Sequence, residues 1–198
     1  MSLLLDDIDA FVEVAIETTV GVISIHVYIN RAPITAINFL KLVETNEYAG
    51  GSFYRAVRVG QRIPGNLELI QGGILPRQPP FPPIKHETTR ETGILHDTGV
   101  VSMARRAPGT GCTEFFICLR RMSILDFSSG RSTGKFDGYG YASFGRVVGG
   151  LETVRKIQEM PSGVVYPNLG PDFESKEFEE FRAQILKKKV PMLNIRRV

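Results

Sequence analysis

Cysteine, histidine and tryptophan are scarce in this chain of 198 residues, which holds two cysteines, three histidines and no tryptophan. Cys112 and Cys118 would lie about 20 Å apart on an extended run, which is too far for a disulfide. His26, His86 and His96 do not combine with them at a spacing that is typical of metal sites. The sequence therefore predicts two free cysteines, with Cys118 in the core, and no metal site.

A strong charge of one sign is also lacking, and so are long hydrophobic runs. The net charge of +3 is too small to indicate a nucleic-acid partner. No stretch approaches the length of a transmembrane helix, so we expect no membrane partner. The start of the chain, residues 1–7, lacks the basic beginning and the apolar run of a signal peptide. We therefore expect a cytoplasmic monomer, or a periplasmic or otherwise exported one if a signal segment has been removed.

The chain does contain many short segments with the pattern of β-strands. Apolar residues recur at every second position across residues 12–16 and 23–27, which is the period of half-buried strands. The short connection between these two segments suggests a hairpin. Further apolar or β-branched runs predict strands at Ser52–Val57, Leu67–Gln71, Val100–Ala104, Phe115–Leu119 and Phe144–Val148.

Two helices are predicted, one early and one late in the chain. Ala36, Phe39, Leu40 and Val43 form one apolar stripe at helical spacing, and a second stripe starts at Leu151. Strands and helices do not alternate as they do in βαβ units. The pattern therefore favours a mainly β fold, a closed antiparallel barrel that is capped by two helices.

Residues after about 160 predict an addition to the barrel. We expect one domain over residues 1–198, with a core of about 12–160, an inserted loop and helix of about 161–189 and a closing strand of about 190–198. Phe178, Phe181 and Ile185 give the inserted helix its apolar stripe. This extra C-terminal helix either stabilises the barrel by packing on it or offers a surface to a partner.

Five segments contain residue types that can act on a peptide bond without a nucleophile, since a guanidinium, an amide and an apolar floor can grip a peptide. They are Phe53-Tyr54-Arg55, Ile70-Gln71-Gly72-Gly73, Gly99–Ala104, Glu114–Cys118 and Tyr141–Val147. In this order they resemble the cyclophilin family of peptidyl-prolyl cis-trans isomerases. The resemblance runs from about Val12 to Met160.

The resemblance implies an eight-stranded barrel with a helix over each end. It also implies an enzyme that rotates X–Pro bonds in peptides and unfolded proteins, assists protein folding and needs no cofactor or metal. By this resemblance Arg55 is catalytic, Gln71 orients the peptide and the arginine, and Phe116 floors the proline pocket. The other substrate-binding residues that it implies are Leu69, Ala104, Arg105, Glu114, Leu125 and Tyr141.

The sequence also departs from the best-known family pattern and looks more like a divergent bacterial subgroup. Ile124 stands where many members have tryptophan, which predicts weak binding of the drug cyclosporin. Arg105 replaces an asparagine and Glu114 a glutamine. An alternative is therefore a catalytically weak cyclophilin-like module that binds proline-containing peptides. Arg55, Gln71 and Phe116, which are retained, favour catalysis.

Overall fold

The computed structural model describes residues 10–61, 66–74, 80–130, 136–163 and 176–198, and for residues 176 and 177 the backbone alone. Eight strands and four α-helices lie in this part of the chain. The strands are β1 (Phe11–Thr18), β2 (Gly21–Tyr28), β3 (Ser52–Val57), β4 (Leu69–Gly73), β5 (Val100–Met103), β6 (Glu114–Cys118), β7 (Ala142–Gly149) and β8 (Ile185–Arg197). The helices are α1 (Pro33–Glu44), α2 (Thr89–Thr92), α3 (Leu151–Glu159) and α4 (Lys176–Gln184).

The eight strands form one closed antiparallel barrel, so the predicted fold class is confirmed. Their order around the barrel is β1-β2-β7-β5-β6-β4-β3-β8, and β8 pairs with β1 to close it. Closure leaves no row of unpaired backbone groups at a sheet edge. The barrel is therefore a rigid frame on which side chains can be held in fixed positions.

Helix α1 packs an aromatic side chain against the interior of the barrel. The Phe39 ring lies 5.4 Å from Phe115 and 5.1 Å from Phe144, centroid to centroid, and Phe53 lies 5.9 Å from Phe115. All four rings are fully buried. Burial of side chains of this size contributes roughly 1.5–3 kcal/mol each, so this cluster anchors the strands that carry the candidate site.

Helix α3 packs at the opposite end of the barrel from α1. Strand β2 starts at Gly21, where a Cβ atom would lie 2.4 Å from the Thr153 hydroxyl of α3, and it ends at Tyr28, shortly before α1 begins. Gly21 has a φ of 143°, so both its backbone and its contact with α3 favour glycine. Val154 and Ile157 of α3 are fully buried. The two predicted helices therefore close the two ends.

The C-terminal segment differs from the sequence prediction in its boundaries. Strand β8 begins at Ile185, so the predicted start at about residue 190 is wrong. Between the pairs Phe53–Val190 and Arg55–Ile185, β8 has more residues than β3, which marks a bulge. The exposed residues 187–189 lie in this irregular part, so a strand begins here without an alternating pattern that could be recognised. Part of the expected loop, residues 164–175, lies outside the described residues, as do residues 1–9.

Two short elements of the structure were not predicted from the sequence. Helix α2 and a 3₁₀ turn at Ser123–Leu125 are too short to give a helical period in the sequence. In the segments that the structure describes, no helix combines the length and the apolar character needed to cross a membrane.

Candidate active site

Three residues that the sequence singles out lie side by side across strands β3, β4 and β6. Arg55 is directly opposite Gln71, and Gln71 is directly opposite Phe116. Residues that oppose each other in this way project from the same face of a sheet. Their neighbours Phe53 and Phe115 are fully buried in the core. Phe115 therefore fills the core while Phe116 faces the other way, as the alternation along β6 predicts.

A β-bulge at Tyr54 brings Arg55 to the face of the site. Phe53 pairs with Gly72 and Arg55 pairs with Gln71, so β3 has one residue more than β4 between these pairs. In a regular strand, Phe53 and Arg55 would point to the same side. The extra residue changes the direction of Arg55, so that Phe53 enters the core and Arg55 joins Gln71.

The two glycines after Gln71 are required by close contacts with neighbouring strands. A Cβ atom at Gly72 would lie 2.7 Å from the ring of Phe53. Gly73 has a φ of 131°, and a Cβ atom there would lie 2.4 Å from the backbone oxygen of Thr113. The Gly-Gly pair therefore allows β4 to lie against its neighbours while it presents Gln71 to the site.

A cavity of about 550 Å³ lies over this row of residues, a size that is ordinary for a small-ligand site. All the residues that the sequence analysis places at the site line this cavity. They are Arg55, Leu69, Gln71, Ala104, Arg105, Glu114, Phe116, Leu125 and Tyr141.

The guanidinium of Arg55 is held from two sides. Its Nη1 donates to Oε1 of Gln71 at 2.7 Å. Its Nε and Nη2 both donate to Oε1 of Gln184, the last residue of α4, at 2.8 and 2.6 Å. The ring of Phe181 lies over the guanidinium, 5.0 Å from its central carbon. The pKa of Arg55 is lowered because burial outweighs the opposing effects of Tyr54, Tyr141 and Glu114. An arginine nevertheless keeps its charge at any ordinary pH.

Gln71 is oriented by a second set of partners on its nitrogen. Its Nε2 donates to the hydroxyl oxygen of Tyr54 at 2.7 Å and lies 3.4 Å from Oε1 of Glu114. The Tyr54 hydroxyl donates in turn to Glu114. Burial, followed by the charge of Glu114, raises the pKa of Tyr54, so Tyr54 keeps its proton. The amide oxygen of Gln71 is thereby directed towards Arg55.

Phe116 forms the apolar floor, and aromatic groups support it on two sides. Tyr141 meets it edge to face at 5.4 Å, and His96 stacks behind it at 5.9 Å. His96 is fully buried, with Nδ1 at 2.7 Å from Oδ1 of Asp126 and Nε2 at 3.0 Å from Oγ of Ser102. This network lies beneath the floor and keeps the Phe116 ring in place.

Asp126 gives this network a dependence on pH. Burial would raise the pKa of Asp126, but hydrogen bonds from His96 and Arg121 outweigh burial, and the pKa lies below its ordinary value. The carboxylate is therefore ionised at neutral pH and contributes stability in that form.

Arg105 and Ala104 line the cavity, but the guanidinium of Arg105 and the backbone N–H of Ala104 already donate hydrogen bonds within the protein. The two Nη atoms of Arg105 donate to Asp137 at 2.7 and 2.9 Å, and its Nε donates to the backbone oxygen of Gly140 at 2.9 Å. Its guanidinium lies 4.7 Å from the ring centre of Tyr141. The backbone N–H of Ala104 donates to the backbone oxygen of Glu114 at 2.8 Å.

Sequence reasoning missed Tyr54, Phe181 and Gln184 as residues of the site. The bulge that brings Tyr54 into the site leaves no mark in the sequence pattern. Gln184 is separated from Arg55 by 129 positions, and no motif includes it.

Within the described ranges, no group of three or more histidine, cysteine or acidic residues could hold a metal ion.

A closed barrel with a fixed guanidinium and an amide above an apolar floor fits the class of enzyme that the sequence resemblance implies, a prolyl isomerase that rotates a peptide bond and does not break it. The comparison with known families gives the particular family. The family model "Cyclophilin type peptidyl-prolyl cis-trans isomerase/CLD" matches residues 11–173, and the chain belongs to this family. The predicted family and the predicted isomerase activity are thereby confirmed.

Individual relatives agree with this assignment. A peptidyl-prolyl cis-trans isomerase of Acinetobacter baylyi is 33% identical over 153 residues, which is 75% of this chain and 73% of that protein. Peptidyl-prolyl cis-trans isomerase A of Dickeya dadantii is 31% identical over 182 residues, which is 88% of this chain and 85% of that protein. Human peptidyl-prolyl cis-trans isomerase-like 3 is 31% identical over 152 residues, 75% of this chain and 83% of that protein.

Solved structures share the fold. A cyclophilin type isomerase of Cryptosporidium parvum has a TM-score of 0.67 at 20% identity, covering 96% of this chain and 98% of that one. A second structure of the same type, crystallised in the presence of the dipeptide Ala-Pro, has a TM-score of 0.66 at 19% identity, covering 94% of this chain and 98% of that one.

Proposed function

We propose that this chain rotates X–Pro bonds in flexible peptides and unfolded proteins, with Arg55 as its catalytic residue. The observation that carries this proposal is the row formed by Arg55, Gln71 and Phe116 across three neighbouring strands. It puts a fixed cation, an amide and an apolar ring within one cavity.

The chemistry that such a site must perform follows from amide resonance. Resonance keeps the peptide bond planar, with a barrier to rotation of about 18–20 kcal/mol. In the twisted transition state, the prolyl nitrogen regains its lone pair and can accept a hydrogen bond. A guanidinium N–H of Arg55 that donates to this nitrogen stabilises the twisted form more than either planar form, and such a difference lowers the barrier.

Gln71 and the apolar walls have complementary roles in this proposal. Gln71 orients Arg55 through its oxygen and helps to align the peptide. Phe116 receives the proline ring, with Leu69, Leu125 and Tyr141 around it. Once a peptide fills the open cavity, these apolar walls keep water away from the twisted bond and strengthen the electrostatic action of Arg55. The Ala-Pro dipeptide with which a relative was crystallised has the chemistry of the expected substrate.

Rotation breaks no bond, so the proposed reaction needs neither a cofactor nor a metal. The same chemistry would operate in the cytoplasm or, for an exported form, in the periplasm. The proposed reaction needs no residue from a second copy, so the expected monomer would suffice for it.

Exchange spectroscopy by NMR tests the proposal directly. A peptide with one Ala-Pro bond is mixed with a small molar fraction of the protein, and the cis–trans exchange rate is measured. We expect exchange to rise from the uncatalysed scale of tens to hundreds of seconds to a rate proportional to protein concentration. Binding of the peptide without faster exchange would support the alternative, a binding module.

A further inference from the structure

Helix α4 carries a residue that contacts Arg55. Gln184 is 2% exposed, and its Oε1 accepts hydrogen bonds from Nε and Nη2 of Arg55. The next residue, Ile185, pairs with Arg55 across the β3–β8 ladder, so the backbone beside Gln184 is fixed. The family model ends at residue 173, before α4 begins, so membership of the family assigns Gln184 no role.

The chemistry of the two side chains determines how they can meet. A guanidinium has five N–H donors and no acceptor, so only the oxygen of a glutamine amide can face it. Oε1 of Gln184 accepts hydrogen bonds from Nε and Nη2 on one edge of the guanidinium, and Oε1 of Gln71 accepts one from Nη1 on the other side. Phe181 covers one face of the guanidinium at 5.0 Å. Together these contacts restrain both the rotation and the tilt of the guanidinium plane.

We propose that Gln184 is a positioning residue for Arg55, and that α4 is thereby part of the active site. This inference rests on the proposed catalytic role of Arg55. With Gln71 alone, the guanidinium could turn in its plane about its one remaining hydrogen bond to these two amides. With both amides, its unused N–H groups keep one direction towards the cavity. Catalysis depends on such alignment, since a misplacement of about 1 Å can cost roughly 10²-fold in rate.

The test compares variants that separate the hydrogen bond from packing. Gln184→Met keeps the length of the side chain but removes the oxygen acceptor, whereas Gln184→Glu keeps an acceptor oxygen. Gln158→Met is the matched control, because Gln158 is a buried glutamine on α3 that does not line the cavity. We expect Gln184→Met to lower kcat by roughly 10-fold to 100-fold with KM changed less than about twofold. Gln184→Glu should keep most of the activity, and the control should match the wild type.

A double-mutant cycle distinguishes this inference from the proposed function. In an Arg55→Ala background, Gln184→Met should change the residual rate by less than about twofold, because neighbouring residues that act together are not additive. Wild-type activity in Arg55→Ala would overturn the role of Arg55 itself. If Arg55→Ala is impaired but Gln184→Met is not, or if Gln184→Met lowers the rate equally in both backgrounds, only the positioning role is overturned.

A measurement on the unmodified protein avoids dependence on the folding of any variant. The Nε–H of Arg55 is hydrogen-bonded to a buried oxygen, so its NMR signal should exchange slowly with water compared with exposed arginines. Rapid exchange of this proton in the wild type would contradict the restraint by Gln184.

Discussion

Replacing Arg55 by alanine removes the guanidinium that the proposed mechanism requires. A donor that is preorganised towards charge developing in the transition state typically contributes about 10²–10³ in rate. Arg55 is restrained by hydrogen bonds to two amides, so most of this contribution should be present in the wild type. We therefore expect Arg55→Ala to lower kcat/KM by roughly 10²-fold to 10³-fold.

The cost in stability should be small by comparison. The substitution leaves the amide oxygens of Gln71 and Gln184 without their donor. Gln184 is buried, and one unsatisfied buried group costs about 1–3 kcal/mol. Gln71 is half-buried and lines the open cavity, so water can replace the hydrogen bond that it loses. We expect a decrease near the lower end of that range, and a variant that still unfolds cooperatively.

The assay is NMR exchange on a peptide with one Ala-Pro bond, combined with chemical denaturation of each variant. Arg146→Ala is a suitable control, because Arg146 is a partly buried arginine on β7 that bonds to the backbone of Thr98 and does not line the cavity. It should keep its wild-type exchange rate. Arg55→Lys should also be strongly impaired, because an ammonium group cannot reproduce the fork that contacts two amides. If Arg55→Ala folds and isomerises at the wild-type rate, the proposed mechanism is wrong.

Three further outcomes are expected. A chelator should change neither the isomerase rate nor the melting temperature, because amide rotation needs no metal; a loss of either would reveal a bound ion. Cyclosporin should inhibit weakly, and Ile124→Trp should tighten its binding by about fivefold or more, since one aromatic contact contributes roughly 1 kcal/mol; tight binding by the unmodified protein would refute the assignment of Ile124. The lowered pKa of Asp126 means that its contribution to stability is present above about pH 4 and is lost as the pH falls through its folded pKa. Denaturation at several pH values should show this acid loss, and Asp126→Asn should flatten it; an unchanged slope would contradict the role of Asp126.

The sequence by itself determined strands β1 to β7, the two end helices and, through the resemblance to the cyclophilins, most of the residues that line the candidate site. Apolar residues recur about every 2 positions in a half-buried strand and about every 3.6 positions in a helix, and a short stretch of sequence is enough to reveal either period. The alternation of Phe115 and Phe116 is one example. The grouping of Arg55 with Gln71 came instead from the order of the motifs that resemble the cyclophilins.

Only the tertiary structure decided how Arg55 is held and aimed. The bulge at Tyr54 arises because β3 has one residue more than β4 between two paired positions. The sequence of neither strand reveals it alone. The contact between Arg55 and Gln184 joins residues 129 positions apart, and it exists because β8 closes the barrel beside β3. Strand β8 also starts at Ile185 because pairing with Arg55 provides a partner for its backbone, although its exposed lysines show no alternating pattern. Long-range pairing of this kind depends on closure of the whole barrel, and no local segment encodes it.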